Sequence, residues 1–466
     1  MSQSQPIVAP LGQEWEIFNK ATSYEPAQWK DLLDGCRARI EQVRKRDIVL
    51  RLMDRAGRPL VSRGVHVVQT ESDFLWGFGG WGLLNALRDG SIVQEDVQRR
   101  YHYLAELFNS VNLMHYWVEK HCGRAPVSEE YQGFPDYSNV QAGVDWALAR
   151  GLVPKGHPIF WPVPKAVPQW LYKYDAPTRM KFLEVRVRTI TARFRGKMKL
   201  YDAINEMLWE PHLADVEQRH WPHITPTERM IEYIEPVLRW AKEEDPDARY
   251  LLNDYGTLVG HTEEIPIQTS DGRKINRDFQ ARRYHELLLA LKARGAAPDA
   301  VGLQGLWGWG HHDNDIATLD LLGTQTGLPV IITEFGSSSA QVEAMKKAGA
   351  NAEQIMEKVG EYAENAMTTC FAHPACEGFY FWYLGEFMHN TQGYPSAFYK
   401  RLHEIIRKRW RTDETLRTDA DGRLRFRGFC GQYRLRLEET GVVQSVGFHV
   451  PEPSRGEVKM DLAMPV

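Results

Sequence analysis

What the 466-residue chain lacks narrows the field first. No apolar run reaches the roughly 18 residues that a membrane-spanning helix needs, so no membrane segment is expected. Positive charge is not in excess: 57 Lys and Arg face 61 Asp and Glu, a formal net charge of −4, which argues against a nucleic-acid or polyanion binder. Cysteine is sparse and odd in number, at Cys36, Cys122, Cys370, Cys376 and Cys430, so neither a disulfide scaffold nor a zinc-ligand spacing is present. Cys370 and Cys376 alone lie close in sequence; they bridge in an oxidising compartment or stand as two buried thiols. The opening MSQSQPIVAPLGQEW has no basic n-region and no long apolar stretch, so no leader is visible in this numbering. Flexible Gly/Ser linkers, low-complexity tracts and internal repeats are missing as well, apart from a strand-then-helix period.

Aromatic residues are abundant instead, with 15 Trp, 19 Tyr and 18 Phe. Many of the Trp sit beside Gly or Pro rather than in helical stripes, among them Trp76, Trp81, Trp161, Trp307 and Trp309. Flat amphipathic rings on loops suit stacking against sugars, whose C–H faces are apolar and whose hydroxyls need polar partners. A large core that simply uses Trp is the competing explanation.

The middle of the chain alternates between short apolar or β-branched runs and amphipathic helical stretches. Strands are expected at DFLWGFG (73–79), SVNLMHY (110–116), VPKGHPIFW (153–161), KLYDAINE (199–206), RYLLNDY (249–255), AVGLQGLW (300–307), PVIITEF (329–335) and EGFYFWYL (377–384). Helices are expected over 140–151, 229–244, 284–295 and 352–371, the third stopped by Gly295. Eight β-then-α units without a long break predict an α/β chain folded as a closed (β/α)8 TIM barrel, with a doubly wound open sheet as the alternative. The ends read differently. Residues 46–70 hold two alternating strands around a Gly-Arg-Pro turn, and RLRFRGF, YRLRLEE, SVGFHVP and EVKMDL follow residue 410 between turn signals. Neither end has enough strands to be stable alone. The expectation is therefore one small accessory β-sandwich formed from the N- and C-terminal segments, with boundaries 1–70, 71–409 for the catalytic barrel, and 410–466.

In such a barrel the residues at the C-terminal ends of the strands face the active site. Those ends are His157 and Trp161 on the third strand, Asn205 and Glu206 on the fourth, and Asn253, Asp254 and Tyr255 on the fifth. Gln304, with Trp307 beyond it, ends the sixth, Glu334 the seventh and Trp382 the eighth. Strands four and seven lie across the barrel from each other, so Glu206 and Glu334 can meet over one ligand. Two opposed carboxylates among sugar-stacking rings fit glycoside hydrolysis, one protonated to serve the leaving oxygen and one ionised. No metal and no cofactor is expected: GHHDND (310–315) and the His220/His223 pair read as polar loops without ligand spacing. GFGGWG (77–82) has the letters of a dinucleotide fingerprint, but LLNALRDGSIVQ after it reads as a poor helix.

Taken together, these segments resemble glycoside hydrolase family 10, the endo-β-1,4-xylanases. YDAINE (201–206) looks like the family's WDVVNE, GHPIFW (156–161) like GHTLVW, NDY (253–255) like NDYN, and IITEFG (331–336) like ITELD. GLQG (302–305) matches part of GxQxH, and CFAHPACEGFYFW (370–382) resembles the last strand with the Cys spacing of some members. The resemblance covers about residues 73 to 408 and implies a retaining hydrolase of xylan or a related plant β-glycan, with Glu206 as acid/base and Glu334 as nucleophile. Retention needs carboxylates about 5–5.5 Å apart. It further implies that His157, Asn205 and Gln304 bind the −1 sugar, with Trp382 and Trp161 lining it. Three departures stand out: Leu306 replaces the family's His, Gly336 replaces the Asp after the nucleophile, and FNSVNLMHYWVE (108–119) replaces ENxxKW at the −2 sugar. A catalytically silent carbohydrate-binding barrel and a same-clan β-glycosidase with another substrate are the alternatives. The expected partner is a polysaccharide or oligosaccharide, with no nucleic acid and no membrane; oligomeric state is left open. Family habit implies a secreted or periplasmic protein, and the visible N-terminus a cytoplasmic one.

Overall fold

The computed structural model describes residues 26–117, 128–129, 131–163, 165–208, 213, 227–258, 267–268, 274–275, 277–305, 312–336, 339–383, 385–439, 442–452 and 456–465. In chain order the strands are β1 (Lys45–Met53), β2 (Gly64–Ser72), β3 (Leu75–Gly79), β4 (Ser110–Met114), β5 (Val153–His157), β6 (Leu200–Asn205) and β7 (Arg249–Asp254). They continue with the short hairpin β8 (Ile267–Gln268) and β9 (Lys274–Ile275), then β10 (Ala300–Leu303), β11 (Val330–Gly336) and β12 (Cys376–Tyr383). The last five are β13 (Asp413–Arg417), β14 (Arg423–Phe429), β15 (Gly431–Glu439), β16 (Val442–Val450) and β17 (Val458–Ala463).

Eight of these close into a barrel, in the order β3-β4-β5-β6-β7-β10-β11-β12 and back to β3. The pairs with assigned register are parallel. Every residue of β4, β6, β10 and β11 is buried, because a parallel strand in a barrel is covered on both faces. That is why these strands read as continuous apolar runs in which each polar residue stands out. All eight barrel strands fall within or one residue beyond the segments expected from sequence, and the open sheet is excluded.

Local chemistry sets the connecting helices. Asp175 caps the helix Ala176–Arg193 by accepting the Thr178 N–H at 3.0 Å, with a Pro in the first turn. The helix Arg277–Ala293 ends as expected at Gly295, whose φ of +71° suits glycine; Gly295 N–H donates to Lys292 O and Ala296 N–H to Leu291 O. One expectation fails. Residues Trp81–Asp89 do form a helix, stopped by Gly90 at φ +78°, because Leu83, Leu84 and Ala86 are buried and packing overrides a weak local signal. Inside the barrel, Gly77 has no side chain for a specific reason: a Cβ there would overlap the ring of Tyr380, whose hydroxyl meets Ser110 Oγ at 2.6 Å.

The terminal strands form two further sheets, ordered β14-β1-β17 and β13-β2-β15-β16. β1 is antiparallel to β14 and parallel to β17, and β2 is antiparallel to both β13 and β15. Strands from opposite ends of the chain thus pair within both sheets, as expected. Alternation puts Ile48, Leu50 and Leu52 of β1 into one cluster with Val65 and Val67 of β2, Leu435 and Leu437 of β15, and Val450 of β16. The β1–β2 turn is held by Asp54 Oδ1, which accepts the N–H groups of Ala56 and Arg58, both at 2.9 Å. Cys370 and Cys376 are buried thiols not joined by a disulfide, and Cys370 Sγ donates to Cys376 Sγ at 3.6 Å.

Candidate active site

Period-2 alternation along β5 turns Lys155 and His157 to the same face, into the barrel. On the neighbouring β6, pairing with β7 shifts register between Asp202 and Ile204. The bulge lets Asp202 and Asn205, three residues apart, both face inward. Asp202 Oδ2 receives His157 Nδ1 at 2.6 Å and forms an ion pair with Lys155 Nζ; all three side chains are buried. Lys155 Nζ also reaches Asn112 Oδ1 of β4 at 3.4 Å. A carboxylate only accepts, so the neutral imidazole carries its proton on Nδ1 and leaves Nε2 as an acceptor.

Glu206 follows the last residue of β6. Its φ is +57°, a left-handed backbone that a glutamate adopts only where surroundings impose it, and its N–H donates to Asn253 O at 2.7 Å. The carboxylate receives Trp161 Nε1 at 2.9 Å on one oxygen and Gln304 Nε2 at 3.0 Å on the other. Glu334 lies within β11 and is buried. Its Oε1 receives Asn253 Nδ2 at 3.0 Å and stands 3.9 Å from His157 Nε2. Asn253 Nδ2 also donates to Asn205 Oδ1 at 2.7 Å, and Thr333 Oγ1 to Asn253 Oδ1 at 2.5 Å. Gln304 Nε2 comes within 3.4 Å of Asn205 Oδ1, so an unbroken chain of three amides joins the two carboxylates.

Both glutamates titrate late. Burial raises Glu206 above the ordinary value against its donors Gln304 and Trp161 and the charge of Lys165. Burial, then the charges of Glu206 and Asp202, push Glu334 well above it, against Lys155 and the Asn253 N–H. Asp202 goes the other way: burial opposes its charge, but Lys155 and His157 more than offset that, so it stays ionised. Burial lowers both Lys155 and His157, the latter into neutrality, against the pull of Asp202.

Aromatic rings wall the same space. Trp382 crosses the His157 ring edge-on at 5.0 Å between centroids. Tyr116 lies 5.7 Å from His157 and 5.5 Å from Trp161, and Trp81 is 5.4 Å from Tyr116 and 5.9 Å from Trp382. Lys165 Nζ sits over Trp161 at 4.6 Å.

Of the residues singled out from sequence, Glu206, Glu334, His157, Trp161, Asn205, Gln304 and Trp382 converge here. Tyr255 is half-buried one residue past β7; its carbonyl accepts Gln280 Nε2 at 2.9 Å. Trp307, Leu306, His311, His220 and His223 lie outside the described residues. Gly336 is the last residue of β11. Sequence reasoning missed Lys155, Asp202, Thr333, Tyr116 and the bridging role of Asn253. A signal for the first two was there: an ionisable residue at the centre of a run otherwise fit for burial on both faces. Among the described residues no group of three or more His, Cys, Asp or Glu is arranged to hold a metal, and no helix is long and apolar enough to cross a membrane.

A closed (β/α)8 barrel with one buried and one half-buried glutamate among aromatic rings at its C-terminal mouth has the architecture of the barrel glycosidases. The chain belongs to glycosyl hydrolase family 10, whose sequence profile matches residues 126–391, more than half its length. Curated relatives include anti-sigma-I factor RsgI6 of Acetivibrio thermocellus, 23% identical over 435 residues, which cover 91% of this chain and 49% of that protein. Endo-1,4-beta-xylanase 1 of Arabidopsis thaliana is 26% identical over 417 residues, 86% of this chain and 37% of the relative. The chain thus spans half the length of these relatives or less. Among solved structures, xylanase 10B of Thermotoga petrophila in complex with xylobiose aligns with a TM-score of 0.50 at 19% identity, over 72% of this chain and 95% of that one. A GH10 endoxylanase from a sugarcane soil metagenome aligns at 0.51 and 17%, over 72% and 97%. At such identities these two likenesses speak for the fold.

Proposed function

We propose that the chain is a retaining glycoside hydrolase that cleaves β-1,4-linked xylan or a related plant β-glycan by double displacement. In the first step the Glu334 carboxylate attacks the anomeric carbon, the bond to the glycosidic oxygen breaks, and Glu206 gives its proton to that oxygen. In the second, Glu206 takes a proton from water, the water oxygen bonds to the anomeric carbon, and Glu334 leaves. Neutral His157 offers Nε2 to a sugar hydroxyl. Asn205, its Oδ1 occupied by amide donors, offers its own N–H groups to the 2-hydroxyl, a contact that strengthens as positive charge develops on the ring. Trp161, Tyr255, Trp307 and Trp382 are proposed to line the sugar.

The observation that carries this reading is the amide chain Asn253–Asn205–Gln304 that spans from Glu334 to Glu206. It holds the two carboxyls in one cluster yet gives each different donors, as two groups with different tasks require. The charge of Glu206 adds to burial in raising Glu334, so the two carboxyls do not ionise together. The free site favours the proton on Glu334. A glycosidic oxygen beside Glu206 and an electron-poor anomeric carbon beside Glu334 reverse that preference in the reacting complex.

A second reading, a barrel that binds a glycan without cleaving it, is favoured by Gly336, which offers no side chain next to the nucleophile, and by the regulatory name of one relative. Release of reducing sugar from xylan and from aryl β-glycosides separates the two. The hydrolase reading expects turnover by wild type and none by Glu334→Gln; equal, negligible release by both leaves the binder. Because a polymeric substrate stays outside cells, the hydrolase reading also places the protein outside the cytoplasm, which fractionation of the source cells tests.

A further inference from the structure

A lysine with no exposed atoms is rare unless something pays for its desolvation. Lys155 is such a residue, and it lies in the floor of the site rather than in a remote core. The charged and titratable groups around Glu334 come from the strands packed about it. From β6 come Asp202 and, just past its end, Glu206; from β5 come Lys155 and His157. From β12 comes Tyr380, its ring 5.6 Å beneath the ammonium and its hydroxyl engaged with Ser110. From β7 comes Asp254, turned away to the Leu208 N–H at 3.0 Å and to Gln280 at 3.0 Å. With His157 neutral, the balance at the floor is three carboxyls against one cation.

We propose that Lys155 is a positioning residue for the nucleophile: its ammonium, tethered between Asp202 and Asn112, is the counter-charge that lets Glu334 ionise beside two other carboxylates. The inference rests on the reading of Glu334 as nucleophile given above. A lysine serving the fold alone would need only Asp202, and that pair is neutral by itself. Here the pair is set one alternation below His157, whose far nitrogen stands 3.9 Å from Glu334. Through Asp202 the same ammonium also fixes the imidazole, because an ionised Asp202 is what keeps the His157 proton on Nδ1.

The test reads the Glu334 carboxyl directly, by 13C NMR of carboxyl-labelled glutamates across pH, with the signal assigned by its loss in Glu334→Gln. Lys155→Met is expected to move that titration up by about one pH unit or more, and Lys155→Arg to leave it near the wild-type position. The acid limb of kcat on an aryl β-glycoside moves up with it, while KM changes little. Removing one partner of a buried ion pair can prevent folding. In that event Asp202→Asn with and without Lys155→Met is compared, which removes the cation without stranding a carboxylate. An unmoved titration in a folded Lys155→Met variant overturns the proposal even where activity falls. A wild type that titrates as expected and responds to Lys155→Met but cleaves no glycoside overturns the hydrolase reading and leaves the counter-charge standing. Cleavage with an unmoved titration does the reverse.

Discussion

Trp161 donates its indole N–H to Glu206 at 2.9 Å, although the two residues are 45 positions apart in the chain. The bond ties the aromatic wall to the proposed acid/base, and since it goes to the ionised form it holds the Glu206 pKa down against burial. Trp161→Phe keeps a ring and deletes the donor. Glu206 then stays protonated to higher pH, so the alkaline limb of kcat/KM moves up. A limb that stays put while kcat/KM falls evenly at all pH values would show that Trp161 acts through stacking alone.

The two glutamates are expected to fail in different ways. Glu206→Ala should lose about 10²–10⁴-fold in kcat on xylan and far less on aryl glycosides with good leaving groups, which need little protonation. Glu334→Ala should be inactive on both. Azide should restore turnover to Glu334→Ala with inversion at the anomeric carbon, read by NMR of the product. Failure of that rescue removes Glu334 from the role of nucleophile.

Asn253 gives one amide group to both Asn205 and Glu334. A hydrogen bond to a charged group contributes about 1.5–3 kcal/mol, so Asn253→Ala should lower kcat/KM by roughly 10–100-fold. KM should move less than kcat, because the contact with Glu334 matters most as that carboxyl reacts. A pure rise in KM would place Asn253 in sugar binding instead.

The raised pKa of Glu334 also ties stability to pH. Its proton is held more tightly in the folded chain than in the unfolded one, so its stabilising contribution is complete below the unfolded value near 4.5. It is lost as pH rises through the higher, folded value. Glu334→Gln removes that loss, so its Tm should exceed the wild-type Tm at neutral pH, with the gap closing in acid. Parallel Tm curves across pH would contradict the burial-driven shift.

Leu435 is fully buried in the cluster shared by the two terminal sheets, with Val67 as its cross-strand partner. Leu435→Ala should destabilise by about 2–5 kcal/mol, measured by urea unfolding. A loss well under 1 kcal/mol would mean that the strands from the two ends of the chain do not share a core.

Much of this was legible before any coordinates. Burial on both faces forces a parallel barrel strand to be apolar throughout, so the polar residues at 205–206, 253–254 and 334 stood out as strand mouths or interruptions. The αL backbone of Glu206 was not legible, because it depends on a hydrogen bond to Asn253 in the next strand. The bulge after Asp202 was hidden for the same reason, and without it the alternation of β6 cannot be read correctly past that point. The helix Trp81–Asp89 was misjudged because its stability comes from what Leu83 and Leu84 bury against rather than from propensity.

The order of residues along the chain determined the eight strands, the opposed placing of Glu206 and Glu334 and the aromatic character of the mouth, since those follow from local period and from counting strands around a closed sheet. Tertiary structure alone decided that Lys155 meets Asp202 across 47 residues and that Lys45 stands opposite Phe429. Charges in a desolvated interior act by distance in space, and distance in space between such remote residues is set only when the barrel and the terminal sheets have closed.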